Sequence, residues 1–179
     1  MKHIEYEERV LISESDYKKV IEDIKSEGKP ITHLYIENIY LDNDDAFIRK
    51  TKKMLRIRRT NNANEELTLK MKDTDGSTIE INETLEEHPI IDKELNNKFN
   101  EYHEIVKLVI DRIEVQYPDY LFVIDKNMYC DTVDYDLEVE ADNQANAKKI
   151  IGFYCEKYKL SYDPQYKTKS HRAFEAIKK

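Results

Sequence analysis

Glycine occurs 3 times and proline 4 times in 179 residues, and tryptophan is absent. So few glycines leave no GxGxxG or GxxxxGK[ST] loop, which excludes a glycine cradle for nucleotide phosphates. The same scarcity leaves no Gly/Ser/Pro-rich linker, so residues 1–179 read as one domain, long enough to bury a core without staples. The two cysteines, Cys130 and Cys155, have no CxxC spacing and read as free thiols of a cytoplasmic protein. The 5 histidines show no HxH or HExxH spacing, which argues against a histidine-ligated zinc site. No apolar run has the form of a signal peptide or the length of a membrane span. A net charge of −8 argues against a general nucleic-acid or anionic-membrane binder.

What the chain has instead is charge, 37% of its residues, laid over a regular apolar pattern. Residues 3–11 alternate as a strand, with Ile4, Tyr6 and Val10 on one face and His3, Glu5, Glu7 and Arg9 on the other. Ser13 or Ser15 caps a helix through Tyr17, Val20, Ile21 and Ile24, closed by Gly28 and Pro30. Strands are predicted at 33–41, 54–60, 66–72, 78–83, 110–116, 120–125 and 133–140, with Asp75–Gly76 marking a hairpin. The spacing of Leu95, Phe99, Tyr102 and Val106 predicts a helix over 90–109. A further helix starts at Asp142 or Asn143 and runs through Tyr158, and a short one begins near Ser170. The fold class is therefore α+β: about eight strands, mostly hairpin-connected, closing into an antiparallel β-barrel with helices packed on its outside.

The informative feature is which residues share a strand face. Arg56 and Arg58 alternate with Leu55 and Ile57; Lys70 and Lys72 alternate with Leu69 and Met71. Asp134, Asp136, Glu138 and Glu140 alternate with Tyr135, Leu137 and Val139. A half-exposed sheet also alternates, so one strand alone says little. Here the polar positions are almost all full charges and they segregate by sign, whereas solvated faces intersperse signs. The amphipathic helices also need an apolar sheet face to cover. If they cover the outside of a barrel, the charged face points inward, where it must pair with itself, a metal or a polyanion.

Glu5 and Glu7 lie two apart on one strand, roughly 6–7 Å between α-carbons, and Glu138 and Glu140 repeat that geometry. Two such pairs can converge carboxylates on a hard cation such as Mg2+ or Mn2+. Arg56, Arg58, Lys70, Lys72, Lys169 and Arg172 are the complement, forked and point-charge donors to phosphate oxygens.

With these motifs the chain resembles the CYTH family of triphosphate tunnel metalloenzymes, in the short stand-alone form of its Gram-positive branch. Glu5-Tyr6-Glu7-Glu8-Arg9 matches the family's ExExK motif with arginine in place of lysine. The likeness continues in order through MLRIRR, LTLK, TIEINE, VIDKNMY, DYDLEVE and KSHR. It implies a charged tunnel in which Glu5, Glu7, Glu138 and Glu140 are metal ligands with Asp125 nearby. Arg56, Arg58, Lys70, Arg112 and Lys169 would clasp phosphates, and Glu80 would orient them or link to the metal. Arg9 keeps the charge of the motif lysine but cannot relay a proton; if that position only holds phosphate, arginine suffices. Asp125 is in phase with Leu121 and Val123, so a bulge or strand end has to turn it inward. Arg112 could equally be a surface arginine, and Lys72 a solvated strand-end lysine.

The expected activity is divalent-metal-dependent hydrolysis of a short triphosphate. Inorganic triphosphate is favoured over thiamine triphosphate or a nucleotide, because no aromatic shelf for a base is identifiable. The alternatives are a non-catalytic module that binds nucleotide or polyphosphate, and an adenylate cyclase of the same fold. Expected partners are small-molecule triphosphates or polyphosphates, with no nucleic acid and no membrane.

Overall fold

Strand β1 (Lys2–Ile12) ends where Ser13 takes an extended conformation and its hydroxyl accepts the Asp16 amide at 3.1 Å, capping α1 (Glu14–Ser26). Gly28, at φ +66°, then turns the chain away from that helix. This computed structural model describes residues 2–61, 65–72, 78–84, 101–163 and 167–177. The chain continues through β2 (Thr32–Asp42), a single helical turn α2 (Phe47–Lys50), β3 (Lys53–Thr60), β4 (Glu66–Lys72) and β5 (Thr78–Thr84). It then forms β6 (His103–Gln116), β7 (Tyr120–Tyr129), β8 (Thr132–Ala141), α3 (Gln144–Tyr158) and α4 (Lys169–Ala176). Among the described residues no helix is long and apolar enough to cross a membrane, and Cys130 and Cys155 are both free.

The class is α+β, built on a strongly curled, eight-stranded antiparallel sheet in the order β1-β5-β4-β3-β2-β6-β7-β8. Strand β1 divides its pairing, meeting β5 over residues 2–5 and β8 over residues 6–12. Each strand shows two faces to different surroundings. On one side of the curl Val10, Ile113, Phe122, Ile124, Leu137 and Val139 form a core with Val20 and Ile24 of α1 and Ile151, Tyr154 and Tyr158 of α3. The charged residues in the opposite phase of the same strands, Glu7, Arg9, Arg112, Glu138 and Glu140 among them, point the other way, into the concavity.

Three expectations are corrected. Residues 103–109 are strand, not helix; Ile105, Val106 and Val109 are β-branched and apolar on both faces, which suits a sheet. Residues 90–100 of that predicted helix, and the Asp75–Gly76 turn, lie outside the described residues. Asp125 needs no bulge, because the ladder between β6 and β7 runs in register from Val109↔Met128 to Gln116↔Leu121. Phe122 and Ile124 pack beneath the helices, so Leu121, Val123 and Asp125 take the inner face. Covering two large side chains, at about 1.5–3 kcal/mol each, selects that phase over the reverse. Finally, α4 packs on the inner rather than the outer side. Ala173 is buried with Ile36, Tyr40, Ile110 and Tyr129, where the concave face is itself apolar.

Candidate functional site

The concavity encloses a cavity of about 500 Å³ lined by side chains from both arms of the curl. It is sorted by charge. Glu7, Glu138 and Glu140 come from adjoining β1 and β8, where Glu7 faces Glu140 and Arg9 faces Glu138 across the ladder. Arg56, Arg58, Lys70 and Lys72 come from β3 and β4.

On the acidic side the protein supplies its own counter-ions. Arg9 pairs with Glu7 and lies 3.3 Å from Glu138. Arg112 grips Asp125 with two bonds, Nε at 2.9 Å and Nη2 at 2.8 Å, and reaches Glu138 at 3.2 Å. Lys169, presented by the first turn of α4, pairs with Asp125 and stands 2.9 Å from Glu138. Burial disfavours charge on Glu138, yet Arg9, Lys169 and Arg112 outweigh it and hold the carboxyl well below its ordinary range. Glu7 is burial-penalised in the same way and is lowered by Arg9. Arg172 donates to Asp134 at 2.8 and 3.0 Å and to Asp136 at 2.8 Å, fastening α4 across the concave face.

The cationic side is less well compensated. Glu80 is 3% exposed, pairs with Lys70 and lies 3.5 Å from Arg56. Burial raises its pKa, but Arg56 and Lys70 prevail and bring it to about 2. Arg58 is in the opposite position. Burial and then the neighbouring Arg56 and Arg112 push its guanidinium down to about 9, and among the described residues no carboxylate pairs with it.

These depressed carboxyls make an acid-stability prediction. A carboxylate lowered by folding stabilises the native state above its unfolded pKa, near 4.5, and that contribution is lost as pH falls through the folded value. Urea midpoints are expected to hold steady from pH 7 to about 5 and then to fall steeply between about pH 4 and 2. A Glu80→Gln variant should show a shallower fall over the same window.

Of the expected site residues, Glu7, Arg9, Arg56, Arg58, Lys70, Lys72, Arg112, Glu138, Glu140 and Lys169 line one cavity. Glu80 and Asp125 stand behind that lining as buried partners of its cations. Arg112 is inward, so the surface alternative falls away. Lys72 sits at the rim, exposed, and donates to Thr78 at 2.8 Å. Arg172 is engaged with the Asp134–Asp136 pair. The backbone of Glu5 faces Thr78, and its side chain lies outside the described residues. Sequence reasoning missed Asn38, Tyr40, Arg49, Lys52, Lys53 and Phe174, which also line the cavity. Tyr40, buried in the apolar core, packs against Phe174 with ring centroids 5.5 Å apart, so one part of the wall is aromatic. The signal for Asn38 and Tyr40 was their two-residue step on a strand neighbouring the charged ones.

The donor set suits a hard divalent cation, since Glu7, Glu138 and Glu140 offer oxygen ligands from adjacent strands. Among the described residues no three acidic side chains are already gathered to hold an ion. Arg9 spans the gap between Glu7 and Glu138 in their place.

The model of the CYTH domain family matches residues 3–170. No curated protein sequence matches the chain. Among solved structures, a Bacillus halodurans protein described as a candidate adenylate cyclase superposes with a TM-score of 0.81 at 24% identity, covering 97% of this chain and 98% of that one. A Hippeastrum protein, described as a candidate adenylyl cyclase with a dominant triphosphatase activity, gives a TM-score of 0.74 at 17% identity over 99% and 96% of the two chains. A Pyrococcus horikoshii protein gives 0.68 at 19% identity over 96% and 99%. At these identities the likeness carries the fold.

Proposed function

Because the chain belongs to the CYTH domain family, we propose that its curled sheet acts as a closed tunnel in which a short triphosphate is hydrolysed with the help of Mg2+ or Mn2+. The supporting observation is the sorted cavity, with a crowded guanidinium wall facing carboxylates drawn from two adjoining strands. Arg56, Arg58, Lys70 and Lys72 take the phosphate chain, and its negative charge relieves the repulsion between these cations. Glu7, Glu138 and Glu140, with Glu5 from the same strand as Glu7, hold the cation. A bound divalent cation supplies charge neutralisation and Lewis acidity to the phosphoryl oxygens.

The chain's own contribution is positioning and electrostatics. Water attacks the terminal phosphorus, its bond to the bridging oxygen breaks, and the proton the water gives up passes to the phosphate oxygens; inorganic triphosphate then leaves as orthophosphate and pyrophosphate. Arg9 and Arg112 are permanently protonated and aim their charge at oxygens that gain it, so neither serves as a proton shuttle. Lys169 and Asp125 keep Arg112 and Glu138 in place. The half-buried ring of Phe174 in the wall gives an organic group an apolar surface, so the substrate range extends to thiamine and nucleoside triphosphates beside the inorganic one.

One observation favours a second reading, a polyphosphate-binding module without turnover: Arg9 occupies the space between the carboxylates that a cation would need. The test is phosphate release from inorganic triphosphate, thiamine triphosphate and ATP, with Mg2+, with Mn2+ and with chelator. Release that depends on metal and disappears in Glu5→Gln/Glu7→Gln is the expected result. Tight triphosphate binding with no release under any condition would select the binding module instead.

A further inference from the structure

Asn38 is a neutral side chain set among guanidinium groups. It is fully buried on β2, faces Arg58 across the ladder and lines the cavity. Its orientation is dictated by chemistry. The Nε–H of Arg58 can only donate, and it does so to Asn38 Oδ1 at 3.0 Å. The amide nitrogen therefore points away from Arg58, and among the described residues Nδ2 has no hydrogen-bond partner. Three more buried polar atoms beside it have no hydrogen-bond partner among the described residues either: Nε and Nη2 of Arg56, the next inward residue on β3, and Oγ1 of Thr68, which faces Arg56 from β4.

If holding Arg58 were the whole task, aspartate would do it better. A carboxylate of nearly the same shape accepts the same bond, leaves no orphaned N–H, and would offset the repulsion between Arg58 and Arg56. Its disadvantage is that it would repel an incoming anion. An amide accepts from Arg58 on one side and donates on the other, which suits a position between a guanidinium and a phosphate oxygen. From this geometry we infer that Asn38 contacts the substrate, donating from Nδ2 to a phosphoryl oxygen of the condensed phosphate chain held by Arg56 and Arg58. This rests on the reading of the cavity as a triphosphate site. It adds a neutral donor to the cationic wall, and it places that donor on β2, outside the strands that carry the charged motifs.

The test is calorimetric binding of inorganic triphosphate with Mg2+, together with melting curves with and without that ligand, for wild type, Asn38→Asp, Asn38→Leu and Asn38→Thr. Affinity is expected to fall by about tenfold or more in the aspartate and leucine variants. Asn38→Thr, which keeps a hydroxyl donor, should lie between them and wild type. Ligand-free Asn38→Asp should melt at or above the wild-type temperature, because its carboxylate neutralises the arginines around it. A purely structural asparagine would give the reverse, a lower melting temperature with wild-type affinity. Wild-type affinity in both Asn38→Leu and Asn38→Thr would overturn the inference alone. Failure of the wild-type protein to bind inorganic triphosphate would overturn the triphosphate reading and this inference with it.

Discussion

Phosphate release is expected to fall by at least about a hundredfold when Glu138 is replaced by glutamine, and the same substitution should remove about 3–5 kcal/mol of stability. Both effects follow from where the carboxylate stands. Glu138 is 2% exposed and is shared by Arg9 at 3.3 Å, Arg112 at 3.2 Å and Lys169 at 2.9 Å. Glutamine keeps the shape and loses the charge, which leaves buried Lys169 and the part-buried Arg9 and Arg112 short of a counter-ion. Removing one member of a buried ionic cluster costs far more than removing an exposed pair, because the remaining charges cannot regain their hydration.

Activity and stability can be separated in the same experiment. Adding Lys169→Met to Glu138→Gln removes one cation along with one anion, so the balance around Asp125 and Arg112 is restored. The double variant should recover much of the urea midpoint lost by Glu138→Gln, a coupling that a double-mutant cycle reads directly. It should not recover phosphate release, because the carboxylate proposed for the cation is still missing. Wild-type release in Glu138→Gln would remove Glu138 from the chemistry, and independent losses in the cycle would mean that Lys169 and Glu138 are not a functional pair.

The charged face was legible in the sequence because β8 alternates cleanly between apolar and ionic residues and β1, β3 and β4 do so over most of their length. That pattern alone assigns Arg56 and Arg58 inward, and Glu138 and Glu140 likewise. Strands β6 and β7 were harder, since both of their faces are apolar over long stretches. Leu121 and Val123 carry the same hydrophobic signal as Phe122 and Ile124, and only the helices packed on the latter pair decide the phase. The error over Asp125 came from that degeneracy. The helix predicted over 90–109 arose in the same way, where apolar residues at helical spacing overlapped a β-branched run. Helix α4 has a helical pattern, but nothing local says which side of the sheet it will cover. Its placement depends on Lys169 and Arg172 reaching Asp125, Asp134 and Asp136, residues 33 or more positions earlier in the chain. Asn38 is uncharged and follows Glu37 on β2, so its two-residue step to Tyr40 was a weak signal until Arg58 was seen facing it.

Arg58→Met should have the opposite stability effect to the glutamine variant, and that contrast tests the division of the cavity into two walls. Burial and the charges of Arg56 and Arg112 hold the Arg58 guanidinium down to about 9, so its charge strains the ligand-free fold. Methionine matches much of the buried stem and removes the repulsion. The ligand-free variant is expected to gain on the order of 1 kcal/mol, a rise of about 2–4 °C in melting temperature for a chain of this size. Affinity for inorganic triphosphate should fall by about 10- to 100-fold, since a charge-assisted hydrogen bond to the phosphate chain is lost. With ligand present the order then reverses, because saturating triphosphate stabilises wild type by mass action and the variant far less. The crossing of the two melting series along a ligand titration is the distinguishing observation. An Arg58→Met protein that is less stable than wild type without ligand and binds triphosphate equally well would make Arg58 a structural residue and leave the anion to Arg56, Lys70 and Lys72. Stability gained and binding lost would mean that the fold tolerates a crowded guanidinium wall for the sake of the anion that relieves it.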